Sequence, residues 1–278
     1  MGFGWIESLM IGAMTGLAEI LPVSALAHNR IFEKFMGKGS IPALMLLFAH
    51  LGVLAALYIC CQIHILKMVR AKKMSRIPKR KRKRPLDTRS MMDYSLWMTM
   101  LLPVVLSLLV MNFLEGLASN AIIMATFLFL NGLLLYIPQF LPSSNKDCRS
   151  LSRVEGLLMG LGGAFFAIPG FSGTGLGLSV ASVTGVERKY GLNMILLMDM
   201  GILAGKVIYD ILDIIAVGIT GFGLTTVLCC VLAAVSAFLG AYFAIRMMRN
   251  LAEDKGYGFF AYYSWGMALF TVILTLMA

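Results

Sequence analysis

The chain has 278 residues, of which 59% are hydrophobic and only 14% charged, and its formal net charge is +10. Soluble domains carry about 25% charged residues, so this composition excludes a water-soluble enzyme and implies an integral membrane protein. Five cysteines without CxxC spacing and three scattered histidines exclude a disulfide framework and offer no metal motif by spacing.

Residues 2–28 are apolar, yet they hold Glu7, Glu19, His28 and a Pro-Val-Ser break at Pro22 to Ser24. A plain span would suffer from all of these, so the segment is expected to be a re-entrant hairpin. Glu7 stands where a signal peptide would be basic, which argues against a cleavable leader. Residues 42–66, 94–114 and 121–141 are long and apolar enough to cross a bilayer core, which takes about 20 residues. Between the first two lies a basic loop, 67–90, with twelve Lys or Arg, including the run KRKRKR at 79–84. It lacks interleaved aromatics for base stacking, so it reads as a cytoplasmic loop beside anionic lipid and not as a nucleic-acid site.

Residues 156–186 carry no charge, but eight glycines fall between Gly156 and Gly177, and Pro169-Gly170 interrupts them. Broken backbone at membrane depth survives only when buried in protein or lining a cavity. This is a second expected hairpin. Spans follow at 192–216, 223–245 and 257–278. The first of these holds Asp199, Lys206, Asp210 and Asp213, with Lys206 and Asp210 spaced for an intrahelical ion pair.

The expected fold is therefore an all-α polytopic membrane protein with six transmembrane helices and two re-entrant hairpins. With 67–90 inside, the loops 67–90, 142–154, 185–190 and 246–256 hold twenty Lys or Arg. The outside loops 29–41, 115–120 and 217–222 hold three, in line with the positive-inside rule. Each hairpin precedes three spans, so the second half is inverted: residues 1–141 and 142–278 form an inverted-topology repeat. An acid precedes each hairpin proline, Glu7 by 15 residues and Glu155 by 14. The two tips should meet near the midplane.

A tip exposes backbone N–H groups at the start of its second helix, which makes an anion site suited to phosphate. Ser24 and Ser172 are placed either to cap those helices or to donate to a phosphate. Glu19, as an ionisable residue inside a membrane, is a functional candidate. His28 shares a face with Ser24, and as an acid or base it would titrate near neutrality. His50, within the span 42–66, and Asp199 and Lys206, within 192–216, are accessory candidates.

The stretch GLAEILPVSALAH (16–28) is similar to a pattern like EGxTEFLPVSSxGH, and AIPGFSGTGLGLSVASVTG (167–185) to PGxSRSGxT. With LFAHLGVLAAL (47–57) and the stretch 237–266, nearly the whole chain resembles the bacterial undecaprenyl-diphosphate phosphatases, the bacitracin-resistance family. The resemblance implies hydrolysis of a polyprenyl diphosphate to its monophosphate, which recycles the carrier lipid for peptidoglycan synthesis at the bacterial inner membrane. It implies catalytic roles for Glu19, Ser24 and His28, and phosphate binding by Thr15, Gly170, Ser172, Gly173 and Thr174. It also implies a divalent cation, Mg²⁺ or Ca²⁺, on Glu19. Thr15 stands where the pattern has a second glutamate, Gly173 where it has an arginine, Ala25 where it has a serine, and Ser264 where it has another arginine. The alternative is a relative that binds or translocates polyprenyl phosphate lipids without hydrolysing them. A homo-oligomer is compatible with either reading.

Overall fold

The computed structural model describes residues 4–37, 39–82, 84–116, 120–141, 145–218, 223–254 and 257–277. Lys38, Lys83, Lys255 and parts of the expected outer loops 115–120 and 217–222 lie outside them. The fold is all-α, with ten α-helices among the described residues: α1 Trp5–Ile20, α2 Ala25–Met36, α3 Ala43–Ser75, α4 Thr88–Glu115, α5 Ala121–Tyr136, α6 Arg153–Ala164, α7 Gly173–Val183, α8 Arg188–Val217, α9 Leu224–Asp254 and α10 Phe259–Leu276. Five helices, α3, α4, α5 as extended by a 3₁₀ turn to Phe140, α9 and α10, are long and apolar enough to cross a membrane. The chain is thus a multi-pass membrane protein. The sixth expected span corresponds to α8, a helix of 30 residues. It differs from the other five because it buries Asp199, Lys206 and Asp210.

Several helix ends overrun the expected spans, while α5 stops at Tyr136, short of the expected 141. Helix α3 continues past residue 66 to Ser75, and α9 continues past 245 to Asp254. Lys, Arg and Met are good helix formers, so the helices run on beyond the apolar segment. At 1.5 Å per residue, 33 residues of α3 reach about 50 Å, well beyond a core about 30 Å thick. Similarly, α2 runs to Met36, into the stretch expected as the outer loop 29–41, and ends on Gly37 with φ 62°.

The two segments expected to be hairpins are each a pair of short helices. Helices α1 and α6 have 16 and 12 residues, about 24 and 18 Å, which is too short to span. Their N-termini explain the paired acids. Glu155 is the third residue of α6 and completes a capping box with Ser152, accepting the Ser152 N–H at 2.7 Å. Glu7 accepts the Gly4 N–H in the same way, although Gly4 has no side chain to return the bond. A Lys146 ammonium 2.8 Å from Glu155 and the Ser152 N–H hold that carboxyl down to about 2.

Packing follows a reciprocal pattern. Helix α1 lies against α9, and α6 against α4; α3 packs on α9, and α4 on α8; α5 and α10 pack on each other, as do α3 and α8. Small residues permit the closest approaches. A Cβ on Gly16 would collide with the Ala237 backbone of α9, and one on Gly160 with the Met100 backbone of α4. In lipid, such backbone contact supplies the van der Waals packing that drives association. Outward faces are apolar: Leu102, Val105, Leu106 and Leu109 follow one stripe of α4 and are all exposed.

Candidate active site

The hairpin tips interlock. Leu21 to Ser24 breaks α1 from α2, and Ile168 to Ser172 breaks the α6 side from α7. Each serine is an N-cap: Ser24 Oγ accepts the Ala27 N–H at 3.3 Å, and Ser172 Oγ accepts the Gly175 N–H at 3.1 Å. Each also reaches the other tip. Ser24 Oγ accepts the Gly170 N–H at 2.9 Å, and the Ser172 hydroxyl lies 3.5 Å from the Leu21 carbonyl oxygen. Gly170 has φ 106°, and a Cβ there would lie 2.5 Å from the Phe127 Cβ, so this position needs glycine. The Ser172 N–H donates to Asn131 Oδ1 at 2.9 Å, and Asn131 Nδ2 donates to Ser264 Oγ at 3.0 Å. One tip is thereby tied to α5 and α10.

Beside the tips lies a buried charge cluster. Lys206 Nζ donates to both Glu19 oxygens, at 2.6 and 2.9 Å. His50 Nδ1 is 2.6 Å from Asp210 Oδ2, and its Nε2 lies 3.6 Å from Glu19 Oε1. Since a carboxylate only accepts, the Nδ1 carries the proton and the other nitrogen faces Glu19. Asp199 Oδ2 is 3.1 Å from the Thr174 hydroxyl, which also lies 3.3 Å from the Glu19 carbonyl oxygen. Lys206 and Asp210 are therefore not an intrahelical pair. Each leaves α8, one for α1 and the other for α3. Lys206 also lies 5.3 Å from the centre of the Phe166 ring, within cation–π range.

Two cavities meet at this cluster. The inner one, 20 Å³, is lined by Glu19, Ser172, Gly173, Thr174, Asp199 and Lys206; it has room for about one water. The outer one, 280 Å³, is lined by Glu19, His50, Lys206 and Asp210 together with Asn29 and Arg30 of α2. Glu19 and Lys206 line both cavities, so the ion pair forms the partition.

Of the residues expected at the site, Glu19, His50, Asp199, Lys206, Ser172, Gly173 and Thr174 line one or both cavities. Ser24 and Gly170 form the clasp between tips and line neither. His28 turns the other way. Its Nδ1 donates to the Ser24 carbonyl at 2.7 Å, its Nε2 is 2.7 Å from the Tyr263 hydroxyl, and the ring stacks on Tyr263. Thr15 is fully buried, lines neither cavity, and its hydroxyl has no hydrogen-bond partner among the described residues. Both Glu19 oxygens face an ammonium that would repel a divalent cation, and no group of three or more His, Cys, Asp or Glu among the described residues could hold one.

Asp210, Asn131 and Tyr263 were not among the expected site residues. Asn131 had a signal, being an amide in the middle of the uncharged run 121–141. For Tyr263 no local pattern exists.

Comparison with known proteins agrees with the sequence resemblance. The chain is 29% identical over 266 residues to an undecaprenyl-diphosphatase of Methanobrevibacter smithii, covering 94% of each chain. It is 28% identical over 274 residues to one from Pseudarthrobacter chlorophenolicus, covering 97% of each. An undecaprenyl-diphosphatase of Halothermothrix orenii is 23% identical over 272 residues, covering 96% of each. The family model for Bacitracin resistance protein BacA matches residues 8–270, nearly the whole chain, and the chain belongs to that family.

Proposed function

We propose that this chain is a membrane phosphatase that hydrolyses undecaprenyl or a similar polyprenyl diphosphate to the monophosphate and inorganic phosphate in the bacterial plasma membrane. The observation that carries the reading is the buried Glu19–Lys206 pair between two interlocked tips, at the foot of a 280 Å³ polar cavity. The names of the relatives supply the substrate class.

The chemistry follows from the geometry. The diphosphate enters the outer cavity, and its charge draws the Lys206 ammonium off Glu19. Lysine binds phosphate as a point charge, here in a site shielded from water, where such stabilisation is strongest. Glu19, released from its partner, accepts a proton from a water. The water oxygen bonds to the terminal phosphorus as the phosphoanhydride P–O bond breaks, and the polyprenyl monophosphate leaves as an anion. His50, steadied by Asp210, stands next to Glu19 and relays the proton outward. The α7 N-terminus, with Ser172 and Thr174, is a positioning platform for phosphate oxygens.

The reciprocal packing of α1–α9 with α6–α4, and of α3–α9 with α4–α8, supports the inverted repeat 1–141 and 142–278. In that arrangement α1–α2 and α6–α7 are the re-entrant pairs, α8 is the sixth span, and the 67–90 loop faces the cytoplasm. The outer cavity then opens on the opposite side, where α2 ends.

The direct test is phosphate release from undecaprenyl diphosphate by the purified protein beside its Glu19→Gln variant. A loss of about 10²–10⁴-fold is expected for removing a general base; equal release by both proteins refutes the assignment. Ser24→Ala serves as a contrast. It deletes a cap and the acceptor of the Gly170 N–H, so it should cost about 1–2 kcal/mol of stability and leave turnover within a few-fold. A folded Ser24→Ala protein with no turnover would place Ser24 in the chemistry.

A further inference from the structure

The face that carries the 67–90 loop holds another cavity, lined by none of the tip residues. It measures 520 Å³ and lies among the C-terminal ends of α3 and α9 and the N-terminal ends of α4 and α8. Four cationic side chains line it: Lys67, Arg89, Lys189 and Arg249. They come from four different helices, so the fold brings them together.

Three carboxylates share the cavity, and each is engaged by the protein. Asp87 caps α4, accepting the Ser90 N–H at 3.1 Å and the Ser90 hydroxyl at 2.7 Å. Glu187 caps α8, accepting the Tyr190 N–H at 3.1 Å. Asp93 accepts the Tyr190 hydroxyl at 2.8 Å and lies 3.1 Å from His64 Nε2. Arg249 spends one N–H on the neutral Cys60 carbonyl at 2.9 Å, which orients a guanidinium that has five donors.

A basic rim alone would be explained by the positive-inside bias. Here the cations converge on one cavity whose acids serve as helix caps and a tyrosine acceptor. Its volume falls in the range of built ligand sites. Ile63, also in the lining, is 68% exposed, so one side of the cavity meets lipid.

We infer that this cavity binds a phosphate-bearing anion, with the head group of an acidic phospholipid as the occupant that matches its size and its lipid-facing side. Basic pockets between membrane helices on the cytoplasmic side bind such head groups. The site goes beyond the proposed hydrolysis and shares no residue with it.

The test uses the purified full chain and the variant Lys67→Gln/Arg89→Gln, whose side chains are exposed and dispensable for packing. A control, Arg80→Gln/Lys81→Gln, removes two exposed charges from the loop outside the cavity. In one arm, native mass spectrometry follows retention of phosphatidylglycerol against phosphatidylcholine. In the other, delipidated protein is titrated with inorganic phosphate and followed by phosphorus NMR. The cavity variant should lose phosphatidylglycerol retention roughly thirtyfold, at about fivefold per charge, while the loop control keeps it. Loss confined to the phosphate titration would uphold the site and identify free phosphate as its occupant. Equal losses in both variants, or no change in either arm, would overturn the inference.

Discussion

Lys206→Met should lower phosphate release at least a hundredfold and destabilise the protein as well. Lys206 is the one cation lining both cavities among the described residues, and it is 3% exposed. Removing a charge that stabilises a phosphoryl transition state costs about 10²–10³ in rate. The stability effect has a separate origin. Without Lys206, Glu19 is a buried carboxylate facing the His50 ring at 3.6 Å, and breaking a buried pair from one side costs about 3–5 kcal/mol. For a chain of this size that is roughly a 5–10 °C lower melting midpoint. The double variant Glu19→Gln/Lys206→Met removes both charges and should regain most of the stability without regaining turnover. Thermal melts and phosphate release on the same preparations separate the two effects. A folded Lys206→Met protein with native turnover would mean that phosphate is held elsewhere.

Gly173→Arg, which restores the arginine of the motif, should weaken this protein and not improve it. A Cβ at residue 173 would lie 2.5 Å from the Gly163 carbonyl oxygen and 2.8 Å from the Phe166 Cβ. Both obstacles belong to the α6 end of the hairpin and are fixed by its turn. Overpacking of this kind costs about 1–3 kcal/mol. The guanidinium would also enter a 20 Å³ space that Lys206 already lines. A lower melting midpoint and turnover reduced about tenfold are expected. Gly173→Ala should show much of the stability loss, because the clash begins at Cβ. Thr15→Glu added to Gly173→Arg should worsen folding, since Thr15 is fully buried and away from both cavities. Higher turnover from Gly173→Arg would show that the tip can open to admit the side chain.

These two expectations define how this chain departs from the motif it resembles. In the proposed site the positive charge comes from α8 through Lys206 and not from the tip. The glycine at 173 lets α7 pack against the α6 turn. Thr15 stands where the motif has its second acid; Asp199 shares the inner cavity with Glu19, and His50 with Asp210 stands on the other side.

Composition and local pattern alone determined the membrane class, the all-helical fold and both hairpin breaks, and they placed Ser24 and Ser172 at helix starts, with capping one of two readings that the structure then showed. Each of these depends on a few neighbouring residues: a proline or glycine limits φ and ψ, a hydroxyl finds the N–H three residues on, and an apolar run avoids water. The family was legible for the same reason, since its motifs are the hairpin tips. Helix ends were less so, because cationic residues continue a helix that hydrophobicity no longer marks. The partners of the buried charges were decided only in three dimensions. Lys206 and Asp210 are four residues apart and suit one another by spacing, yet the rotation of α8 against α1 and α3 sends one to Glu19 and the other to His50. Likewise, α2 keeps Ser24 and His28 on one face, and its seat against α10 turns that imidazole to Tyr263. A buried ion must find its countercharge wherever the packed helices present it, and that choice is made by helix rotation and depth, which no spacing along the chain encodes.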